Sequence, residues 1–287
     1  MAHLAAWAAP AALMVSFTVL YWPVLRKLTS DWASDANYSH GFLVVPIALY
    51  FAWERRARFR AAVPRPSALG LIVVIGSVAT MIAGTLGAEL FLTRISIVGV
   101  AAGTVWFLFG REHLRILAFP LAFLVLMIPL PSIIFNQVAF PLQLLASTFG
   151  ESALHALSIP AVRDGNIIVL DRVTLEVAEA CSGIRSLVSL LTLSIVYSYF
   201  TDSRPWVRIT AAVMTLPIAI ITNGVRVAGT GIAAHYYGAA AATGFLHEAS
   251  GWLMFVAAFT LLSLGLRMLT FIAPGQWPND PPVARPV

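Results

Sequence analysis

A polar, loop-like segment meets a long apolar run at Glu179-Ala180-Cys181-Ser182-Gly183-Ile184-Arg185. A helix that begins after this stretch would place Cys181 near a membrane surface, at the mouth of the helix. Cys181 is the only cysteine of the chain, so it cannot form an intrachain disulfide. It is either a buried small hydrophobe, which is the usual state of a free cysteine, or a reactive thiol. The rest of the chain is needed to choose between the two.

The composition predicts a polytopic helical membrane protein. Of the 287 residues, 59% are hydrophobic and 11% are charged, whereas soluble domains contain about 25% charged residues. Several apolar runs approach or exceed the ~20 residues that cross a bilayer as a helix. The net charge of +5 does not indicate nucleic-acid binding, because the arginines fall mostly in short loops between apolar runs. No basic region precedes the first apolar stretch, so we expect no cleaved signal peptide.

We expect an all-α fold with about eight transmembrane helices. The expected spans are residues 4–22, 40–53, 67–87, 90–109, 116–134, 184–200, 207–223 and 250–271. The loop from Glu54 to Arg65 contains five arginines, and the positive-inside rule therefore places it in the cytoplasm. An even number of spans then places both termini in the cytoplasm. We expect one integral membrane domain over 1–273 and a Pro-rich, disordered cytoplasmic tail over 274–287.

Residues 135–180 differ in character from the spans. The stretch 136–157 is apolar but interrupted by polar residues, which predicts a helix that lies in the interface or packs against the bundle. Residues 166–170 and 173–177 have the pattern of strands, with turn residues before the first strand and between the two. We expect a small extracytoplasmic β-hairpin here, outside the hydrocarbon core.

The expected topology brings three chemically active residues to one surface. Cys181 lies just before the sixth span enters from outside, Arg226 at the outer end of the seventh, and His247 just before the eighth. Short connections make consecutive helices neighbours. A thiolate is a nucleophile, a histidine moves protons near neutral pH, and an arginine stabilises an oxyanion. The three residues together therefore suit acyl transfer.

Each of the three residues also has a structural interpretation. An arginine at a helix end is often a snorkelling anchor, and a histidine at the interface is usually a polar contact. His155 and His235 also fall on the outer side and compete with His247 for the catalytic role. Helix spacing does not decide between these histidines.

Other chemistries fit the sequence poorly. The stretch from His247 to Gly251 lacks the second histidine of a helical zinc protease site. We find no Gly-x-Ser-x-Gly nucleophile elbow, no cysteine pair for a soft metal and no phosphate-binding glycine loop. The sequence therefore predicts no metal and no cofactor.

Five motifs in order resemble the exosortase/archaeosortase family of integral membrane transpeptidases. They are Tyr38-Ser39-His40-Gly41-Phe42-Leu43 with Pro46 and Trp53-Glu54-Arg55-Arg56, Met127-Ile128-Pro129-Leu130-Pro131, Ala180-Cys181-Ser182-Gly183-Ile184, Asn223-Gly224-Val225-Arg226, and His247-Glu248-Ala249-Ser250-Gly251-Trp252. The resemblance covers residues 37–255, and the order and spacing of the motifs are more specific than any one of them.

The resemblance implies a function. Members of this family are bacterial inner-membrane enzymes that recognise proteins with a C-terminal PEP-CTERM-type signal, often in bacteria that make extracellular polysaccharide. They cleave near the signal and pass the protein to an acceptor nucleophile. The family's catalytic Cys, Arg and His match Cys181, Arg226 and His247. We rank the neighbours Arg185, Asn223 and Glu179 below them, as candidate substrate-binding residues. The implied partners are the signal-bearing membrane proteins, the lipid bilayer and an unidentified acceptor, and not nucleic acid.

Three other functions remain open from the sequence. A non-enzymatic scaffold for polysaccharide export would tolerate changes at all three residues. A membrane acyltransferase that acts on lipid would use the same thioacyl chemistry. A transporter would need charged residues near mid-membrane and paired broken helices, whereas the charges here cluster at the ends of the expected spans.

Overall fold

The computed structural model describes residues 2–171, 173–177, 183–238 and 245–273, with residues 2–10 and 245–248 described by their backbone alone. In these ranges the protein is α-helical apart from one small antiparallel sheet. The chain divides into two compact units, Met1–Pro131 and Ser132–Val287. The Pro-rich tail expected over 274–287 lies outside the described residues.

The first unit is built from six α-helices and one short 3-10 helix. They are α1 (Ala2–Ser34), α2 (Gly41–Glu54), α3 (Arg56–Ala61), α4 (Ala68–Leu86), α5 (Leu90–Phe109), α6 (Arg111–Phe123) and the 3-10 helix Leu124–Met127. Helices α4 and α5 form a tight antiparallel hairpin, in which a Cβ at Gly84 would come 2.9 Å from the backbone nitrogen of Thr93. Small residues allow this close approach, as at other membrane helix pairs. The spans expected at 67–87 and 90–109 are confirmed.

Helix α1 runs beyond the span expected at 4–22 and includes part of the segment from Arg26 to Ser39 that we expected to be a polar connection. Its charges have partners within the unit. Lys27 pairs with Asp31 one turn later at 2.8 Å, and Asp31 also forms an ion pair with Arg94 of α5. The Arg94 side chain is only 3% exposed. Because these partners satisfy the charges, the helix continues where composition alone predicts an interruption.

The expected span at 116–134 is wrong. Helix α6 begins at Arg111 and ends at Phe123, the 3-10 helix continues to Met127, and the next helix begins at Ser132. Pro129 and Pro131 lie in the break, where a proline can neither donate a helical hydrogen bond nor follow a helical residue without a clash. The apolar run therefore contains parts of two helices and not one span.

In the first unit, two of the motifs are joined through residues beside them. Trp32 donates a hydrogen bond from Nε1 to the carbonyl of Met127 at 2.9 Å, and His40 Nε2 lies 3.1 Å from the carbonyl of Leu126. A Cβ at Gly41 would overlap the Trp32 ring. The start of α2 and the 3-10 helix before Pro129 are therefore held together by side chains.

The second unit contains four long helices and the sheet. The helices are α7 (Ser132–Ala156), α8 (Ile184–Thr201), α9 (Pro205–Tyr237) and α10 (Phe245–Ile272), and the strands are β1 (Ala161–Asp164), β2 (Ile167–Leu170) and β3 (Thr174–Glu176). Helix α9 packs against α7, α8 and α10. The spans expected at 184–200 and 250–271 are confirmed. The segment 136–157 belongs to α7, which is itself a candidate span and packs against α9, so the predicted helix packed against the bundle is confirmed.

The expected hairpin is confirmed and extended by one strand. Strands β2 and β3 pair antiparallel with Ile168 opposite Leu175, and β1 adds to the other edge of β2 with Val162 opposite Val169. The sheet buries Ile168 and Leu170 against Leu154 of α7 and against Val227 and Ala234 of α9. It thus packs on the last turns of α9.

Helix α9 is longer than the span expected at 207–223 and continues through Arg226 to Tyr237. A helix of 33 residues is about 50 Å long at 1.5 Å per residue, whereas the hydrocarbon core is about 30 Å thick. Arg226 lies about 30 Å from Pro205 along this helix. Arg226 is therefore within α9 and not at its end.

The opposite end of the unit is closed by the α8–α9 loop. Arg204 donates to both carboxylate oxygens of Asp202, with Nη2 at 2.6 Å from Oδ2, and its Nη1 bonds the carbonyl of Ala273 after α10. Arg208 Nε donates to the carbonyl of Asp202 at 2.7 Å. These hydrogen bonds from Arg204 hold the pKa of the Asp202 carboxyl below its usual range. The Asp202 carboxylate therefore stays ionised at neutral pH, and the loop ties α8, α9 and α10 together.

Seven described helices are long and apolar enough to cross a membrane. They are the segments Ala11–Ser34, Ala68–Leu86, Leu90–Phe109, Ser132–Ala156, Ile184–Thr201, Pro205–Tyr237 and Ala249–Ile272. Helix α2, which corresponds to the span expected at 40–53, is apolar but has only 14 residues. The protein is an all-α, multi-pass membrane protein with a small three-stranded sheet.

Candidate functional site

Helix α8 begins immediately after a left-handed glycine. Gly183 has φ +80° and precedes Ile184, the first residue of α8. A Cβ at this position would lie 3.0 Å from Cβ and from Cγ of Asn223 on α9. Only glycine takes this backbone conformation without cost, and it also allows α8 to start against Asn223, which is 6% exposed. The chain just after Cys181 is thus fixed against α9.

Arg226 is held from the other side by α10. Its Nε donates a hydrogen bond to Oγ of Ser250 at 3.2 Å. A Cβ at Gly251 would lie 3.3 Å from Nη2 of Arg226, so the glycine leaves room for the guanidinium. The Arg226 side chain is half-buried. Its guanidinium is therefore oriented by the first turns of α10.

One face of α9 connects the two contacts. Asn223 and Arg226 are three residues apart, which places them on the same side of the helix. Asn223 contacts Gly183, two residues after Cys181, and Arg226 contacts Ser250, three residues after His247. Position 247 lies in the first turn of α10, and residues three apart share a helix face. Arg226 therefore shares one face of α9 with contacts to Gly183, two residues after Cys181, and to Ser250, three residues after His247.

The structure describes some of the predicted site residues in full, one by its backbone alone and two not at all. Cys181 and Glu179 lie outside the described residues, and His247 is described by its backbone alone. Arg185 lies half-buried in the first turn of α8, and Asn223 and Arg226 lie on α9. The geometry therefore joins the neighbours of Cys181 and His247 to Arg226, and direct contact among the three remains a prediction.

The two rival histidines have contacts elsewhere. His155 Nε2 lies 2.7 Å from the carbonyl of Ala161, which links the end of α7 to strand β1. His235 packs edge-on against Tyr236 with ring centroids 5.0 Å apart. It is nine residues beyond Arg226, or about 13 Å along α9. Neither of these contacts involves Asn223 or Arg226.

The space beneath Gly183 and Asn223 is almost closed. A cavity of about 10 Å³ is present there, the size of a single water. Its other walls are apolar side chains of three helices, Leu142, Leu187, Leu216, Ala219 and Ile220.

The arrangement suits charge stabilisation at a reacting carbonyl. An oriented, half-buried guanidinium is a strong hydrogen-bond donor at the edge of a low-dielectric region. In the part of the chain that the structure describes, no group of three or more His, Cys, Asp or Glu side chains is placed to hold a metal ion. The polar groups that the structure describes on this face are the Arg226 guanidinium, the Asn223 amide and the Ser250 hydroxyl.

Sequence reasoning assigned no function to two residues of the site. Ser250 and Gly251 belong to a motif that the sequence analysis quoted, but no role was assigned to them. Their contact with Arg226 depends on how α9 and α10 pack, which the local sequence does not encode. The available signal was their position three and four residues after His247, on one face of a helix.

Comparison with known proteins gives one match. A family model described as transmembrane exosortase (Exosortase_EpsH) matches residues 32–264. This range includes most of the described residues of each unit and every candidate site position from Glu179 to Gly251. Neither the search of curated proteins nor that of solved structures found a significant match.

Proposed function

The chain belongs to the transmembrane exosortase family, and from that premise we propose that it is a membrane-embedded cysteine transpeptidase. Membership of the family implies sorting of proteins with a PEP-CTERM-type signal. The protein would cleave this C-terminal signal on exported proteins through a thioacyl intermediate, in a pathway linked to extracellular polysaccharide production. Its partners would be the signal-bearing proteins and an acceptor, either water or an amine.

One observation supports the catalytic assignment above the others. The same face of α9 contacts the chain two residues after Cys181 and the helix three residues after His247. In this proposal Cys181 is the nucleophile, His247 transfers protons and Arg226 stabilises the oxyanion. Arg185, Asn223 and Glu179 would contact the substrate near the scissile bond.

The reaction then follows in two balanced halves. The Cys181 thiolate attacks the carbonyl carbon of the scissile peptide, and negative charge develops on the oxygen beside Arg226. The C–N bond breaks, the leaving amine takes a proton from His247, and the N-terminal part of the substrate remains as a thioester. Water or an amine attacks the thioester, gives its proton to His247 and releases the thiolate. Loss of one oxyanion donor typically costs about 100- to 1,000-fold in rate.

We also propose an orientation for the protein. The arginines of the 54–65 loop and those of the α8–α9 loop would face the cytoplasm of a bacterial inner membrane. Arg226 would then lie at the periplasmic boundary, because it is about 30 Å along α9 from Pro205. Both termini would be cytoplasmic, with the 14-residue helix α2 as an eighth span beside the seven candidate spans, and residues 1–273 would act as one integral membrane domain.

The proposal is tested with a co-expressed reporter that has a cognate PEP-CTERM-type tail. Its size is followed by immunoblot with wild-type protein and with Cys181→Ala at equal abundance. We expect processing by the wild type and a loss of at least about 1,000-fold in the variant, since removal of a catalytic nucleophile has effects of this order or larger. Equal processing by both would overturn the nucleophile assignment, and no processing by either would favour a scaffold.

A further inference from the structure

A second site candidate lies in the first unit, where α2, α3 and α6 meet. A cavity of about 660 Å³ opens there, lined by Arg55, Arg58, Glu112, Arg115, Ile116 and Phe119. This volume falls within the range of about 300–1,000 Å³ that is usual for ligand sites. None of these residues belongs to the site on α9, so the cavity requires its own explanation.

The cavity lies at one end of the α4–α5 hairpin. The backbone nitrogen of Arg65, just before α4, donates to the carbonyl of Phe109 at the end of α5, at 2.9 Å. The ring of Phe59 on α3 packs against that of Phe109 with centroids 5.1 Å apart. Both α4 and α5 are candidate spans. Helix α3 is therefore held where the two spans leave the hydrocarbon, at the depth of lipid headgroups.

A neighbouring pair supports this depth. The Arg56 guanidinium stacks over the ring of Trp53 at 4.6 Å, and Trp53 is 62% exposed. Exposed tryptophans next to basic residues are typical of the membrane–water interface. The cavity entrance is thus expected to face headgroups rather than acyl chains or bulk water.

The lining of the cavity combines three arginines and one glutamate with two apolar side chains. Arg55 is fixed in the wall, because its Nη1 donates to the carbonyl of Phe51 at 3.0 Å and its guanidinium lies 5.2 Å from the centroid of Phe119. Arg58 of α3 and Arg115 of α6 are exposed and approach from two different helices. Glu112 offsets one of the three positive charges. The remaining excess of positive charge favours an anion.

From this geometry we propose that the cavity binds the phosphodiester headgroup of an anionic phospholipid. Arginine matches the oxygens of a phosphate with two parallel donors, and basic pockets between membrane helices bind lipid headgroups. Ile116 and Phe119 provide an apolar wall for the glycerol and the first acyl carbons, which a free phosphate would leave unused. This function is additional to sorting and does not depend on it.

The test uses full-length protein in a neutral detergent. Bound lipids are counted by native mass spectrometry during titration with phosphatidylglycerol, phosphatidylcholine or inorganic phosphate. We expect one saturable phosphatidylglycerol site. Each basic residue near such a headgroup contributes about fivefold in affinity, so Arg58→Gln/Arg115→Gln should weaken binding by about 30-fold. Glu112→Gln should strengthen it by about fivefold for the same reason.

The matched control is Arg60→Gln/Arg111→Gln. It also removes one positive charge from α3 and one from α6, but at exposed positions that do not line the cavity. We expect less than threefold weakening in this variant. Equal weakening in both double variants would show attraction by overall charge and overturn the site. Equal binding of phosphatidylcholine, or a phosphate affinity equal to that of phosphatidylglycerol, would overturn the anionic lipid as its occupant.

Discussion

At the scale of single residues, Ser250 is the clearest new participant in the proposed reaction. Its hydroxyl accepts the hydrogen bond from Arg226 Nε at 3.2 Å. Without it, the guanidinium would lose its orientation toward the developing oxyanion. We expect Ser250→Ala to lower kcat of reporter processing by about tenfold with little change in KM, since a hydrogen bond to a charged group contributes about 1.5 kcal/mol or more. Initial rates with purified full-length protein measure this effect.

Two further variants separate positioning from simple loss of stability. Ser250→Thr keeps a hydroxyl and should restore most of the rate. Ser263→Ala removes a serine from the same helix, where its hydroxyl bonds the carbonyl of Phe259 at 2.8 Å, and should leave the rate near that of the wild type. A Ser250→Ala rate equal to that of Ser263→Ala would contradict the positioning role.

The sequence predicted some of these residues and not others. Arg226 and His247 could be proposed because arginine and histidine have recognised roles in acyl transfer and the expected topology placed both on the same surface as Cys181. Gly183 and Ser250 could not be, because glycine and serine are ordinary in membrane helices. Their importance comes from contacts with Asn223 and Arg226. Such contacts depend on how separate helices pack.

At the scale of elements, the ion pair between α1 and α5 decides how far α1 extends. Asp31 pairs with Arg94, whose side chain is 3% exposed. Asp31→Asn would leave a buried arginine without its counter-charge, a change that costs about 3–5 kcal/mol in other proteins. We therefore expect a clearly lower Tm for full-length Asp31→Asn in detergent.

A double variant tests this explanation. Asp31→Leu/Arg94→Met replaces both charges with apolar side chains and should recover most of the lost Tm, because apolar substitutes for a buried pair are often neutral. Lys27→Met removes the partner that is 55% exposed and should cost less than about 1 kcal/mol. A double variant as unstable as Asp31→Asn would show that the pair is not what stabilises the α1–α5 contact.

The elements that were predicted well are the uninterrupted apolar runs. Helices α4, α5 and α8 match their expected bounds closely, because a charged residue or a proline beside each apolar run marks its limit, such as Pro66 before α4, Glu89 before α5 and Asp202 after α8. The errors fall where local signals conflict with packing. Helix α1 passes through Asp31 because Arg94 neutralises it, and α7 is itself a candidate span although Gln143 and Ser147 interrupt its apolar pattern. Both of these polar residues are buried in α7.

At the scale of the whole molecule, the family match spans 32–264 and so covers most of each compact unit. The proposed catalytic residues belong to the second unit, and the proposed lipid site belongs to the first. Composition was sufficient to predict a multi-pass helical protein. It could not predict that α9 continues to Tyr237 and supports the sheet, because this depends on burial of Val227 and Ala234 against β2.

The central claim is that Cys181 forms a thioester with the substrate, and trapping that species is its most direct test. Full-length protein is mixed with the reporter, quenched in acid, digested and analysed by mass spectrometry. We expect the peptide that contains Cys181 to gain the C-terminal residues of the cleaved reporter. The adduct should be released by neutral hydroxylamine and absent from Cys181→Ala. Processing without any adduct, at an equal rate in Cys181→Ala, would contradict the account.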